Sequence, residues 1–366
     1  MKVLGICLSP GKGGLELYAY NAINALKNAG HDCYFATAAE SYLKDRSWSV
    51  SLIELKPLVR QIPLLTALRL ARYIDAHAID IIHMHWNKDL NLCALARLFS
   101  RRKPKLVYTR HMEITRSKKD PYHRFLYRQV DRMLVIADFV RRQAIQYLPL
   151  RDEQVTLLYL GVRAVKAATP AQCLELIPDL SAKAPDFVIG MIGRIEEYKG
   201  QHILLEALRL VKDRIPRALI VMAGPIMDET YFERLHKQIQ RDGLTGMVTY
   251  LGISHEPGRL MSCCQVVVLT TYCETFGLVL AEAMRAGTAV IGTNAGGVPE
   301  IIKHNETGLL YEPGNAQELA QNLTDLYENR ERRERLCRAG NEFADKMFDV
   351  NKHFHLLEKY LKQYDA

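Results

Sequence analysis

The chain has 366 residues, 48% apolar and 25% charged, which is enough to bury two cores and too evenly mixed for a disordered protein. No run approaches about 18 uninterrupted apolar residues, and Met1-Lys2 leads straight into a short apolar stretch with no secretory leader, so the expected location is cytoplasmic. The net charge of +8 is uneven: 25 Lys and Arg face 14 Asp and Glu up to Leu160, and 24 face 27 beyond it. The basic half suits an anionic partner through long-range attraction, or is a set of ordinary solvated helix faces. Eight scattered cysteines, with no C-x-x-C pair and no zinc spacing, fit a reduced compartment.

In chain order, β-branched runs at residues 3–8, 33–37, 79–83, 105–109 and 132–136 alternate with longer amphipathic segments. The same pattern resumes at 188–192, 218–223, 248–251, 266–269 and 289–292. Alternation of this kind predicts an α/β protein with two parallel sheets covered by helices. Residues 161–185, where Pro170, Pro178 and Pro185 interrupt the periodicity and the charge balance reverses, read as the linker. The expected domains are 1–165, joined by a C-terminal helix at about 350–366, and 185–349. The expected active site is the cleft between them, because parallel sheets bind ligands at the carboxyl ends of their strands.

The first motif follows residues 3–8. In S-P-G-K-G-G-L-E, Gly13 and Gly14 permit close backbone approach to a phosphate just before a helix N-terminus. Glu16 occupies the third glycine position of the dinucleotide fingerprint, which argues against NAD. Basic clusters follow at Arg97 to Lys105, with Arg101, Arg102 and Lys103 at the centre, then at Arg116 to Lys119 and at Arg124, Arg128 and Arg132. Leu64, Leu65, Leu68 and Ala71 opposite Arg69 and Arg72 form an amphipathic segment, read mainly as a helix packed on its sheet.

After residues 188–192, G-R-I-E-E-Y-K-G places Gly193, Arg194 and Lys199 in one loop. Two cations fixed there would stabilise the charge that develops on a departing diphosphate. Glu274 and Glu282 then stand eight residues apart across a Phe276-Gly277-Leu278 turn into an apolar helix, about two turns along one face. The unpaired amides of that helix start would bind oxygen atoms, and the two carboxylates would grip two hydroxylated rings, as in a nucleotide sugar. Gly296, Gly297, Glu300 and Gly308 read mainly as residues that shape this loop. No D-x-D occurs, so the cations replace a metal and no metal or other cofactor is expected.

The set G-G-L-E at 13–16, T-R-H at 109–111, G-R-x4-K-G at 193–200, E-x7-E at 274–282 and G-G-V-P-E at 296–300 resembles family 4 of the retaining glycosyltransferases, of the GT-B fold. The resemblance implies two Rossmann-like domains facing across a cleft, with the donor held mainly by the C-terminal one. Arg194 and Lys199 would lie on the diphosphate, Glu274 and the 276–278 amides on the sugar and phosphate, and Glu282 on the ribose. His111 would face the transferred sugar, and the C-terminal helix would return to the first domain. Thr270-Thr271 departs from the Pro-Ser common in the family. His83 and His85 share a strand face, a metal-ligand spacing without a third ligand in sequence, and read as structural or acceptor-side.

The expected reaction moves a hexosyl group, preferably from a UDP-sugar, to an acceptor hydroxyl with retention and without metal. The expected acceptor is a lipid-linked or other glycan of the bacterial envelope, such as lipopolysaccharide, with peripheral contact to an anionic membrane. A sugar-nucleotide epimerase of the same fold and a transferase acting on a small soluble acceptor are the alternatives. A nucleic-acid partner is disfavoured, because aromatic residues are not interleaved with the positive charge.

Overall fold

The computed structural model describes residues 1–56 and 63–363. The chain divides into two units, one running to Tyr159 and resuming at Asn351, the other spanning Leu160–Val350.

The first unit is built on seven strands: β1 (Lys2–Cys7), β2 (Asp32–Ala38), β3 (Ser51–Leu55), β4 (Ile81–Met84), β5 (Lys105–Arg110), β6 (Arg132–Val135) and β7 (Val155–Leu157). They pair in parallel in the order β3-β2-β1-β4-β5-β6-β7. The central strands are continuous apolar runs because helices cover both faces. β3 and β7 are absent from the sequence reading because, as short edge strands, they need less apolar sequence. The helix Val350–Lys362 buries Leu357 and Leu361 in the core with Val3, Ile23 and Leu26. Its His353 Nδ1 bonds the Tyr159 carbonyl (2.6 Å), and Glu358 lies 2.9 Å from His31. The last three residues of the helix expected from sequence, 364–366, lie outside the described residues.

The second unit is built on β8 (Phe187–Ile192), β9 (Ala218–Ala223), β10 (Val248–Tyr250), β11 (Val266–Val268), β12 (Ala289–Thr293) and β13 (Leu309–Tyr311), all parallel in the order β10-β9-β8-β11-β12-β13. Residues 161–185, read as linker from the prolines, are part of this unit. A Cβ on Gly258 would meet Val165, Ala168 N–H donates to Ser262 Oγ (2.9 Å), and Cys173 is disulfide-bonded to Cys263. That disulfide departs from the reading of the scattered cysteines as fitting a reduced compartment. The cysteines are 90 residues apart in sequence, a pairing that spacing alone does not reveal.

In each sheet the strand order reverses once, between β1 and β4 and between β8 and β11. Loops leaving the carboxyl ends on either side of such a point diverge and open a crevice. The glycine turn at 9–14, His85, the 193–199 loop and the 270–277 loop all leave from these four strands.

Candidate active site

In the second unit the two loops at the reversal are locked to each other. Gly200, at φ +71°, caps the helix Gln201–Val211, and a Cβ there would lie 2.5 Å from the Thr270 carbonyl oxygen. Thr270 Oγ donates to the Lys199 carbonyl (2.6 Å), and Tyr198 Oη donates to the Cys273 carbonyl (2.6 Å). These contacts deliver Lys199 Nζ to 2.7 Å from Glu274 Oε2, with both side chains largely shielded from water. The Thr270 found in place of the family's usual residue therefore has a definite task, holding the backbone that carries Lys199.

The glycine pair at 296–297 supports the acid loop from below. Gly297 N–H donates to the Glu274 carbonyl (2.8 Å), and a Cβ on Gly296 or Gly297 would come within 2.1 or 2.3 Å of the Glu274 or Thr275 carbonyl oxygen. Gly277, at φ +91°, caps the helix Leu278–Arg285. Phe276 is buried, with its ring 5.6 Å from Phe348, so its side chain anchors the loop and only its backbone can serve a ligand.

Glu282 lies on that helix, its carbonyl accepting from Ala286 N–H (2.9 Å), and its carboxylate has no hydrogen bond or ion pair among the described residues. Burial pushes its carboxyl up to about 7. A carboxyl held in this way is suited to accept hydroxyl hydrogen bonds from a ligand that completes its surroundings. Arg194 is more exposed and pairs with Glu196 (2.9 Å), not with Glu274. Its carbonyl accepts from Gln201 (2.8 Å), which fixes the loop while leaving the guanidinium at the surface.

In the first unit Glu16 is buried beneath the glycine turn. It accepts from Ser9 Oγ and from Gly13 N–H (2.9 Å), and Ser9 Oγ accepts from Gly11 N–H (3.2 Å). The residue that breaks the dinucleotide fingerprint thus holds the turn in shape. Because the Gly13 amide is used within the loop, the open position is Gly14, where an added Cβ meets nothing within 4 Å.

His111 follows β5, its ring 4.7 Å from and edge-on to Tyr18. Burial, followed by the nearness of His83, Arg110 and His353, pushes its pKa down to about 3, so it is a neutral imidazole. Its buried Nε2 has no partner among the described residues. Arg110 is fully engaged, donating to the carbonyls of Met112 (2.7 Å) and Glu113 (2.6 Å) and to Tyr108 Oη (2.8 Å). His83 Nε2 lies 2.7 Å from Thr109 Oγ, and the His83 and His85 rings are 4.2 Å apart. Among the described residues no group of three or more His, Cys, Asp or Glu could hold a metal ion.

Sequence reasoning missed Tyr18 and the tasks of Glu16 and Thr270. The signal for Glu16 was present: a glutamate three residues after a small residue at a helix start is the second half of a capping box.

A model of Glycosyltransferase Family 4 matches residues 12–165, and one of Glycosyl transferases group 1 matches 174–343, so together they span most of the chain. The chain belongs to the family 4 glycosyltransferases. Over 378 aligned residues this glycosyltransferase is 24% identical to N-acetyl-alpha-D-glucosaminyl L-malate synthase of Bacillus anthracis, covering 99% of the chain and 95% of that protein. It is 30% identical over 227 residues to sulfoquinovosyl transferase SQD2 of Arabidopsis thaliana, covering 61% and 43%. Among solved structures, Anabaena HepE in complex with UDP-glucose superposes at a TM-score of 0.84 with 25% identity, over 99% of this chain and 100% of that one. The complex of HepE with UDP and glucose superposes at 0.86. The two-sheet architecture is the GT-B fold.

Proposed function

We propose that this glycosyltransferase moves a hexosyl group from a UDP-sugar to an acceptor hydroxyl with retention of configuration and without a metal ion. The observation that carries the reading is the Lys199–Glu274 pair beside the start of the helix that bears Glu282. Lys199, with Arg194 and the open amides at Gly14, would hold the diphosphate and stabilise its charge as the sugar bond breaks. Glu274 and the 276–278 amides would position the sugar, and Glu282 the ribose. The neutral His111 would donate to or accept from a hydroxyl of the transferred sugar. The departing phosphate oxygen takes the acceptor proton on the face it leaves, so no carboxylate attacks the sugar. The UDP assignment draws support from the UDP and UDP-glucose complexes of HepE.

The acceptor in this reading is a lipid-linked or other glycan of the bacterial envelope, such as lipopolysaccharide, used at an anionic membrane from the cytoplasmic side. A small hydroxy acid is the second reading, favoured by the match along nearly the whole chain to the malate-using synthase. The test is a screen of UDP-, GDP- and ADP-sugars for thermal stabilisation and slow hydrolysis in excess EDTA, with the anomeric configuration of the product read by NMR. Stabilisation by UDP-sugars, hydrolysis in EDTA and an axial product from an axial donor are expected. Inversion, strict magnesium dependence or epimerisation of the donor without acceptor would overturn the corresponding part.

A further inference from the structure

On the helix Val350–Lys362, His353 shares a face with Leu357 and Leu361, one and two turns further along, and all three are buried. A polar ring set in such an apolar stripe costs stability unless its nitrogens are hydrogen-bonded. In His353 both are. Nδ1 lies 2.6 Å from the Tyr159 carbonyl oxygen, and Nε2 lies 2.9 Å from Tyr18 Oη. A carbonyl only accepts, so Nδ1 carries the proton. Burial keeps the ring neutral by lowering its pKa to about 4, so Nε2 offers a lone pair and the Tyr18 hydroxyl donates to it.

The same reasoning extends to the sheet. With its proton given to His353, Tyr18 Oη accepts from its other partner, the Thr109 hydroxyl. Thr109 Oγ, having donated, accepts in turn from His83 Nε2 at 2.7 Å, which places the proton of that ring on Nε2. One directed chain therefore runs from His83 through Thr109, Tyr18 and His353 to the Tyr159 carbonyl. It joins β4, β5, the helix Gly14–Asn28 and the C-terminal helix, and every member lies in the first unit.

Stability alone does not call for this chain, because apolar side chains of similar volume would fill the same space with no polar atoms to satisfy. What a fully satisfied network supplies is one fixed arrangement, since each hydroxyl is held from both sides. The part held most completely is the Tyr18 ring. It packs roughly edge-to-face on three imidazoles, with centroids 4.7 Å away for His111, 5.4 Å for His353 and 5.7 Å for His85. His353 belongs to the chain, whereas the buried His111 Nε2 and His85 Nδ1 have no hydrogen-bond partner among the described residues. The network thus ends against an imidazole that still has a nitrogen to offer.

We propose that Tyr18 and His353 are positioning residues for His111: the chain locks the Tyr18 ring, and the ring sets the plane of the His111 imidazole so that its open nitrogen meets a hydroxyl of the transferred sugar. Neither residue offers the substrate a polar atom, since the Tyr18 hydroxyl and both His353 nitrogens are used within the chain. The C-terminal helix, remote in sequence from every glycine or acidic motif, is in this way part of the machinery around the sugar. This deepens the proposed role of His111 and rests on it.

The experiment is a double-mutant cycle on acceptor-free hydrolysis of UDP-glucose by the full chain, with UDP affinity and melting temperature measured on every variant. Tyr18→Phe keeps the ring and removes only the hydroxyl. It should lower kcat roughly tenfold or more, the cost of misaligning one contacting group, while UDP affinity stays within about twofold. Added to His111→Ala, the same substitution should cost less than about twofold more, because the ring then has nothing to align. His353→Leu should behave as Tyr18→Phe does, and His353→Gln, which again offers a donor and an acceptor, should regain most of the loss. The ring-nitrogen NMR signals of His111, assigned by their absence in His111→Ala, should shift in Tyr18→Phe and in His353→Leu. Losses that add in the cycle, wild-type kcat in Tyr18→Phe, or His111 signals that stay in place would overturn the positioning role and leave Tyr18 as packing. If His353→Leu does not fold, Tyr18→Phe carries the cycle and the NMR comparison by itself. Wild-type hydrolysis in His111→Ala together with shifted signals would remove the sugar contact and leave the alignment standing, whereas failure of hydrolysis in wild type concerns the glycosyltransferase reading and leaves the signals to decide the alignment.

Discussion

Lys199 Nζ and Glu274 Oε2 meet at 2.7 Å although 75 residues separate them in sequence. The contact joins the loop after β8 to the loop after β11, at the point where the second sheet reverses its strand order. The ammonium is thus fixed in advance, and in the proposed reaction little reorganisation would remain for a diphosphate to share its charge. Lys199→Ala should lower kcat by about 10²- to 10³-fold, the usual cost of removing one preorganised donor, with a smaller change in UDP affinity. Steady-state UDP release from UDP-glucose measures it, and retention of more than about a tenth of wild-type kcat would contradict the assigned role.

The glycine pair offers a test that leaves every polar side chain in place. Gly297→Ala drives a Cβ to 2.3 Å from the Thr275 carbonyl oxygen and must displace the loop carrying Glu274. A loss of roughly 1–3 kcal/mol of stability is expected from such overpacking, together with UDP-glucose binding weaker by about tenfold or more. Gly14→Ala is the contrasting case, because its Cβ meets nothing within 4 Å. Unchanged melting with weakened UDP binding in Gly14→Ala would identify that turn as a ligand contact, and unchanged binding would remove it from the donor site. Titration calorimetry with UDP reads both variants.

The contrast between these glycines marks what a sequence can reveal. Gly13-Gly14, Arg194, Lys199, Glu274 and Glu282 stand out in the sequence because their residue types are informative in themselves, and the structure brings Lys199 against Glu274. The central strands are legible because burial on two faces demands unbroken apolar runs. β3, β7 and β13 are not, since an edge strand of three to five residues takes its stability from one neighbour and needs no such run. Thr270, Tyr18 and Cys173 escape for another reason: each acts on a partner 71, 335 or 90 residues away, and no local pattern encodes that distance.

Glu282 places a pH signature on the free protein. Its folded pKa, near 7, is above the ordinary carboxylate value of 4.5, so between those values the folded state binds more protons than the unfolded one. Its contribution to stability is therefore most favourable below about 4.5 and declines as pH rises through 7, by about 3 kcal/mol in total. Glu282→Gln should raise the melting temperature at alkaline pH, do little near pH 5, and weaken UDP-glucose binding. A stability gain independent of pH, or undiminished donor binding, would show that the carboxyl is not a ligand held in an unfavourable setting.

The first unit should respond to acid with the opposite sign. His83 and His111 are pushed down to about 3, His353 to about 4 and His85 well below its ordinary value, in each case chiefly by burial. An unfolded chain protonates all four near 6.5, so from there down to about 4 the unfolded state holds more protons and stability falls with pH. Each histidine contributes up to about 1.4 kcal/mol per pH unit in that window, and the four contributions share one sign. All four lie in the first unit, whereas Glu282, in the second, becomes more favourable on acidification. Lowering the pH from about 7 to about 5 should therefore open the first unit first. Hydrogen exchange read by mass spectrometry should show protection lost across residues 1–159 and the C-terminal helix while β8, β9 and β11 stay protected. Opening that begins in the second unit, or in both together, would mean that these imidazoles do not sit neutral in the core of the first.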